Sequence, residues 1–146
     1  MRLLPTALAV VVGLLFTAST GASGGDDATN NEVKKFQGKW KPIKIEGRNP
    51  GTKEGVLITV MGDKLALEGK TEKPLEFTFK VDAAAKPKAI DISFGLGTLL
   101  GIYEFDGDTL RVCYSELQES ENGKRPTELS ADSNSKRYLW VLKREK

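Results

Sequence analysis

Between residues 104 and 111 the chain places Glu104, Asp106, Asp108 and Arg111 within eight positions. Asp106-Gly107-Asp108 has carboxylates suited to calcium, but it lacks the length and ligand order of a calcium loop and has the composition of a hairpin turn. A carboxylate beside an arginine can serve as a modulated acid in a cleft. Here a four-residue loop from Asp106 to Thr109 sets Glu104 opposite Arg111 across a hairpin, which makes them a surface charge pair worth about 0–1 kcal/mol. Asp26-Asp27 sits in a polar stretch and reads as solvation. The 146 residues contain no histidine, which excludes Ser-His-Asp and Cys-His catalysis and the usual zinc sites. No glycine-rich strand-to-helix loop exists to hold a phosphate. The sequence therefore points to no catalytic residue, no metal and no cofactor, and a non-enzyme is expected.

Cys113 is the single cysteine, so no intrachain disulfide can staple the fold. It is expected to be a small buried hydrophobe rather than a reactive thiol. Stability must then come from a hydrophobic core, which about 110 ordered residues can supply.

The first residues, "MRLLPTALAVVVGLLFTASTGASGG", run from one positive charge at Arg2 through an apolar stretch to small residues. This is the order of a secretory signal peptide, residues 1–22, with cleavage after Thr20-Gly21-Ala22. The apolar run is shorter than the roughly 18–20 residues of a membrane span and no basic stop-transfer cluster follows it. Export to the periplasm or the extracellular space is expected. Losing Arg2 leaves 21 Lys and Arg against 20 Asp and Glu. Charges are interspersed, so neither nucleic acid nor an anionic membrane is an expected partner, and a monomer is expected.

Residues 23–31 read as a disordered leader, and Asn31 can cap one helical turn through Phe36, ended by Gly38. From there to residue 146 the segments are short, alternating and separated by turn residues, the signature of one all-β domain over residues 32–146. Strands are predicted at about 39–46, 56–61, 64–68, 75–81, 89–94, 99–105, 109–115 and 138–144, with a ninth short piece at 126–129. Residues 117–136 are predicted to be a mobile loop. In "LLGIYEFDGDTLRVCYS" the turn register opposes Phe105 to Leu110 and Tyr103 to Val112, which puts Tyr103, Phe105, Leu110, Val112 and Tyr114 on one, inward, face.

About eight antiparallel strands with short turns fit a small up-and-down barrel, whose closure removes exposed edges. Gly38-Lys39-Trp40 before the first strand, with "WVLKREK" at the end, strengthens that reading. In lipocalin-like barrels a first-strand tryptophan plugs the closed end beneath a basic residue of the last strand, here Arg144 or, second, Lys143. "QGKWK", "KPKAIDI", "TLLGIYEFDGDTLRVCY", "RPTEL" and "WVLKRE" resemble an uncharacterised, often exported domain family of planctomycete bacteria. The resemblance implies a lipocalin-like (calycin-type) fold and a bacterial source, with no established activity and no catalytic residues. Pro42 departs from a continuous first strand, and Trp40 differs in parity from Ile43 and Ile45. A bulge near Pro42 is expected to reconcile both.

An eight-stranded barrel either fills itself with side chains or holds one small ligand. Two functions follow. The first is an exported binder of a small apolar or amphipathic molecule, with Phe77, Phe79, Tyr103, Phe105 and Tyr114 as candidate ligand-binding residues. The second is a filled barrel acting as a structural or protein-interaction module through rim loops 47–55 and 117–136, where Arg48, Lys53, Lys124, Arg125, Lys136 and Arg137 give a mild basic bias. Gly38, Trp40 and Arg144 belong to the architecture in both.

Overall fold

The computed structural model describes residues 28–48, 53–69 and 73–146; the expected signal peptide lies outside them. A helix over residues 28–36, α1, precedes eight strands: β1 (Gly38–Glu46), β2 (Leu57–Met61), β3 (Lys64–Glu68), β4 (Leu75–Asp82), β5 (Ala89–Phe94), β6 (Gly97–Asp106), β7 (Thr109–Ser115) and β8 (Arg137–Arg144). A short helix, α2 (Leu117–Glu121), lies between β7 and β8. Each strand pairs antiparallel with the next, and β1 pairs with β8 to close the barrel. The all-β, eight-stranded, up-and-down barrel expected from the sequence is the fold.

Strand alternation follows from the residues. In β4, Phe77 and Phe79 point to the lumen while Glu76, Thr78 and Lys80 are exposed. The β6–β7 hairpin has the anticipated register, Phe105↔Leu110, Glu104↔Arg111 and Tyr103↔Val112. Arg111 Nη1 donates to Glu104 Oε2 at 3.1 Å on the outer surface. The turn carboxylates are engaged with cations: Asp108 Oδ2 lies 3.2 Å from Lys146 Nζ and Asp106 Oδ2 lies 3.9 Å from Arg111 Nη2.

The bulge in β1 falls where Pro42 removes a ladder donor. The register with β8 shifts between Pro42 and Lys44, so Ile43 is left over and turns outward, 47 % exposed. The extra residue gives Trp40 and Ile45 the same parity, opposite Arg144 and Trp140. Simple alternation, which sets Ile43 and Ile45 on one face, therefore misplaces Ile43 by one residue of bulge.

Two further expectations are corrected. Residues 28–31, assigned to a disordered leader, are helical, so Asn31 lies within α1 rather than at its cap. Residues 126–129 form no strand, and the segment from 117 to 136 is fastened to the outer wall instead of hanging from the rim. Arg125 Nη1 donates to the paired carbonyls of Ile90 (3.1 Å) and Gly101 (2.9 Å), and Ser120 Oγ accepts from Leu100 N–H (2.9 Å). Leu129 and Ala131 pack on Ile102, Cys113 and Leu139, making a second core outside the barrel.

The closed end is organised by Trp40, which is fully buried. Its indole N–H donates to the Phe36 carbonyl at 2.7 Å, joining α1 to β1. The Arg144 guanidinium lies 4.3 Å from the Trp40 ring centre, and its nitrogens donate to the Gln37 (2.8 Å) and Lys35 (2.7 Å) carbonyls. One side chain of the last strand thus stacks on the first strand and takes up carbonyls at the end of α1 that the helix leaves without partners. The cation–π contact contributes about 0.5–2 kcal/mol and each charged hydrogen bond about 1–2 kcal/mol before allowance for partial exposure. Arg144→Ala is expected to lower unfolding free energy by about 2–3 kcal/mol in urea titration. Arg144→Lys should recover less than half of that, because an ammonium cannot stack and reach both carbonyls at once.

Candidate functional site

The inward faces of the strands meet in two regions. At the closed end, Phe36 from α1 is surrounded by Phe79, Tyr103 and Phe105, with ring centres 5.2, 5.0 and 4.9 Å away. The contacts to Tyr103 and Phe105 are edge-to-face, the arrangement that ring quadrupoles favour. Above this layer is a cavity of about 140 Å³, with walls that include Trp40, Ile58, Phe77, Leu99, Tyr114 and Trp140.

The cavity wall is nearly all carbon. Its polar side-chain atoms are the Tyr114 hydroxyl and the two indole nitrogens. Trp40 Nε1 is committed to Phe36, and Trp140 Nε1 donates to Tyr114 Oη at 3.1 Å. The Tyr114 hydroxyl proton has no acceptor among the described residues, so this is the one donor the wall can offer. Burial pushes the Tyr114 phenol up to about 12, which keeps it protonated at any physiological pH. Gly101 makes room for this arrangement: a Cβ there would lie 2.7 Å from the Cys113 carbonyl oxygen and 3.1 Å from Tyr114 Cβ.

Of the five residues singled out for ligand contact, Phe77 and Tyr114 line the cavity. Phe79, Tyr103 and Phe105 belong to the aromatic floor around Phe36. The Tyr103 hydroxyl does not face the cavity but donates to Glu32 Oε1 at 3.0 Å. Glu32 is a buried carboxylate on α1, 5 % exposed, which the sequence reading passed over. Its oxygens also meet Lys88 Nζ and Lys35 Nζ, each at 2.8 Å. Burial alone would raise this carboxyl, but the bonds from Lys35, Lys88 and Tyr103 overcome it and hold the group at about 2. Burial, and then Glu32, push the Tyr103 phenol well above its ordinary range. The cluster anchors α1 across the barrel's end. Phe36 and Trp140 were also missed as cavity residues: Phe36 lies outside every strand, and Trp140 had no parity partner until β8 was in register.

Cys113 is fully buried in the outer core, its Sγ 3.5 Å from the Ser130 carbonyl oxygen. Burial raises its thiol pKa. Among the described residues no three His, Cys, Asp or Glu side chains are grouped to hold a metal ion, and no helix is long and apolar enough to cross a membrane.

No family model, curated protein or solved structure matches the chain.

Two outcomes follow. A carboxylate held at about 2 when folded and near 4.5 when unfolded adds stability that is complete above about pH 5 and is lost as pH falls towards 2. Glu32→Gln should therefore destabilise by about 2 kcal/mol at pH 7, with the difference from the native chain closing in urea titrations towards pH 2. Cys113 should resist a thiol reagent in the folded protein and react at the rate of a free thiol in denaturant, read by absorbance of the released label.

Proposed function

We propose that this protein is an exported lipocalin-like barrel that binds one small apolar molecule, or the apolar part of an amphipathic one, and catalyses no reaction on it. The observation that carries the reading is the cavity of about 140 Å³ between the aromatic floor and the far end of the barrel. A carbon-lined space of that order has room for a single ring or a short alkyl group, and water gains few partners in it. The groups shifted furthest in pKa, Glu32 and Tyr103, are locked in the closed end against each other and two lysines, which suits anchoring rather than turnover. Export is supported by the order of residues 1–22, and the lipocalin-like relationship by Gly38-Lys39-Trp40 with Arg144 across the indole.

The interaction-module reading is less well supported, because the basic bias of the loops is taken up internally. Arg48 pairs with Glu116, Lys124 and Lys136 with Glu119, Arg125 with Asp91, and Arg137 with Glu128.

The test is thermal unfolding with and without toluene. A ligand at ten times its Kd stabilises by about 1.4 kcal/mol, which should raise Tm by a few degrees. Leu99→Trp, which places an indole in the cavity, should abolish the shift while leaving the cooperative transition in place. An unchanged Tm for the native chain at saturating toluene would remove the carrier reading. Native mass spectrometry of protein from its host then identifies any resident molecule by its mass.

A further inference from the structure

The barrel wall has a seam at the start of β4. The ladder between β4 and β5 begins at Thr78↔Ser93, yet β4 extends back to Leu75 in its pairing with β3, and β5 continues to Phe94 in its pairing with β6. Phe77 and Phe94, which would form the next pair, meet through their rings instead, edge-to-face at 5.9 Å. A groove of about 370 Å³ runs along this seam, lined by Lys64, Glu76, Phe77, Thr78, Ser93 and Phe94. In a continuous wall, inward and outward side chains line separate spaces. Here outward residues (Lys64, Glu76, Thr78, Ser93) share a groove with the inward pair Phe77 and Phe94. Phe77 also forms part of the lumen wall, so its ring is the partition between groove and cavity.

The two spaces differ in character. The cavity offers carbon. The groove offers the Thr78 hydroxyl, an ammonium and a carboxylate, together with the Ser93 hydroxyl, which already shares a 3.0 Å hydrogen bond with Thr98 Oγ1. Lys64 and Glu76 make no ion pair among the described residues, and their charges cancel. Two exposed apolar residues flank the seam in sequence, Leu75 at 56 % and Leu96 at 81 % exposure, each two positions from one of the paired phenylalanines.

Building on the proposed carrier function, we infer that the ligand is a short-chain amphiphile whose apolar chain passes Phe77 into the lumen while an uncharged, hydroxyl-bearing head lies in the β4–β5 groove. A charged head would be drawn to one of Lys64 and Glu76 and repelled by the other. A neutral head can bond to both, and to the hydroxyls beside them, at no such cost.

The experiment is calorimetric titration of the full chain with toluene, hexyl β-glucoside, hexanoate and hexylammonium. The native chain should bind toluene, and should bind hexyl glucoside at least fivefold more tightly than either charged hexyl compound. Glu76→Lys, a change at an exposed strand position, makes the groove cationic. It should raise the affinity for hexanoate relative to hexyl glucoside at least fivefold and leave toluene within twofold of its native value. Toluene binding with no preference among heads, or a preference that Glu76→Lys does not move, would overturn the groove assignment while leaving the lumen reading intact. Failure of both toluene and hexyl glucoside to bind the native chain would overturn the lumen reading and this inference with it.

Discussion

The barrel depends on one contact between the two ends of its β-sheet. A sheet of eight strands closes only if its first and last strands meet in register, and nothing in a β-ladder itself distinguishes that meeting from pairing with a stranger. Arg144 resolves the ambiguity. Its planar guanidinium can stack on the Trp40 ring and reach the carbonyls of Lys35 and Gln37 together, a combination only the correct partner strand presents. Because Trp40 in turn holds the Phe36 carbonyl, the same contact fixes the helix that covers the barrel's end. Closure of the sheet and capping of the lumen are thereby one event.

Capping carries a cost that the chain meets locally. Setting α1 across the end buries the Glu32 carboxylate, and a carboxylate out of water needs partners. Lys35 from the same helix, Lys88 from the turn before β5 and the Tyr103 hydroxyl supply them. The tyrosine that might have met a ligand is thereby spent on the plug. The polar lock and the aromatic floor lie together at the closed end, and the cavity beyond them has Tyr114 as its free donor.

Much of this was legible in the sequence, and the exceptions have physical causes. All eight strands follow from two-residue alternation and turn chemistry, because each has one face in the lumen and the other in water or against a cover. The β6–β7 register could be derived outright, since the Asp106–Thr109 turn leaves one pairing that matches apolar with apolar and Glu104 with Arg111. The place of Arg144 over Trp40 is the one that the resemblance to lipocalin-like barrels implied. Ile43 was misplaced because a bulge displaces one residue, and sequence indicates that a bulge exists more readily than which residue it expels. The fastening of residues 117–136 was not legible: Arg125 bonds to backbone carbonyls, which every residue has, and so leaves no compositional trace. The cavity was half readable for a related reason. Parity says which side chains face inward, but whether they fill the lumen depends on how far along the axis each one sits, and α1 adds a ring no strand pattern contains.

The segment that returns from β7 to β8 divides the barrel into unequal halves. Where it lies, Ile102, Cys113 and Leu139 are buried on the outer face of strands whose inner faces are also buried, so that wall is a middle layer between two cores. Across the lumen, the outward positions of β4 (Glu76, Thr78, Lys80) stand in water and the wall is one residue thick. A barrel built this way has a spine and a flank. Any widening of the lumen must disturb two packed layers on one side and only a single ladder on the other, so the molecule's capacity to change shape is concentrated in the flank that contains the β4–β5 seam.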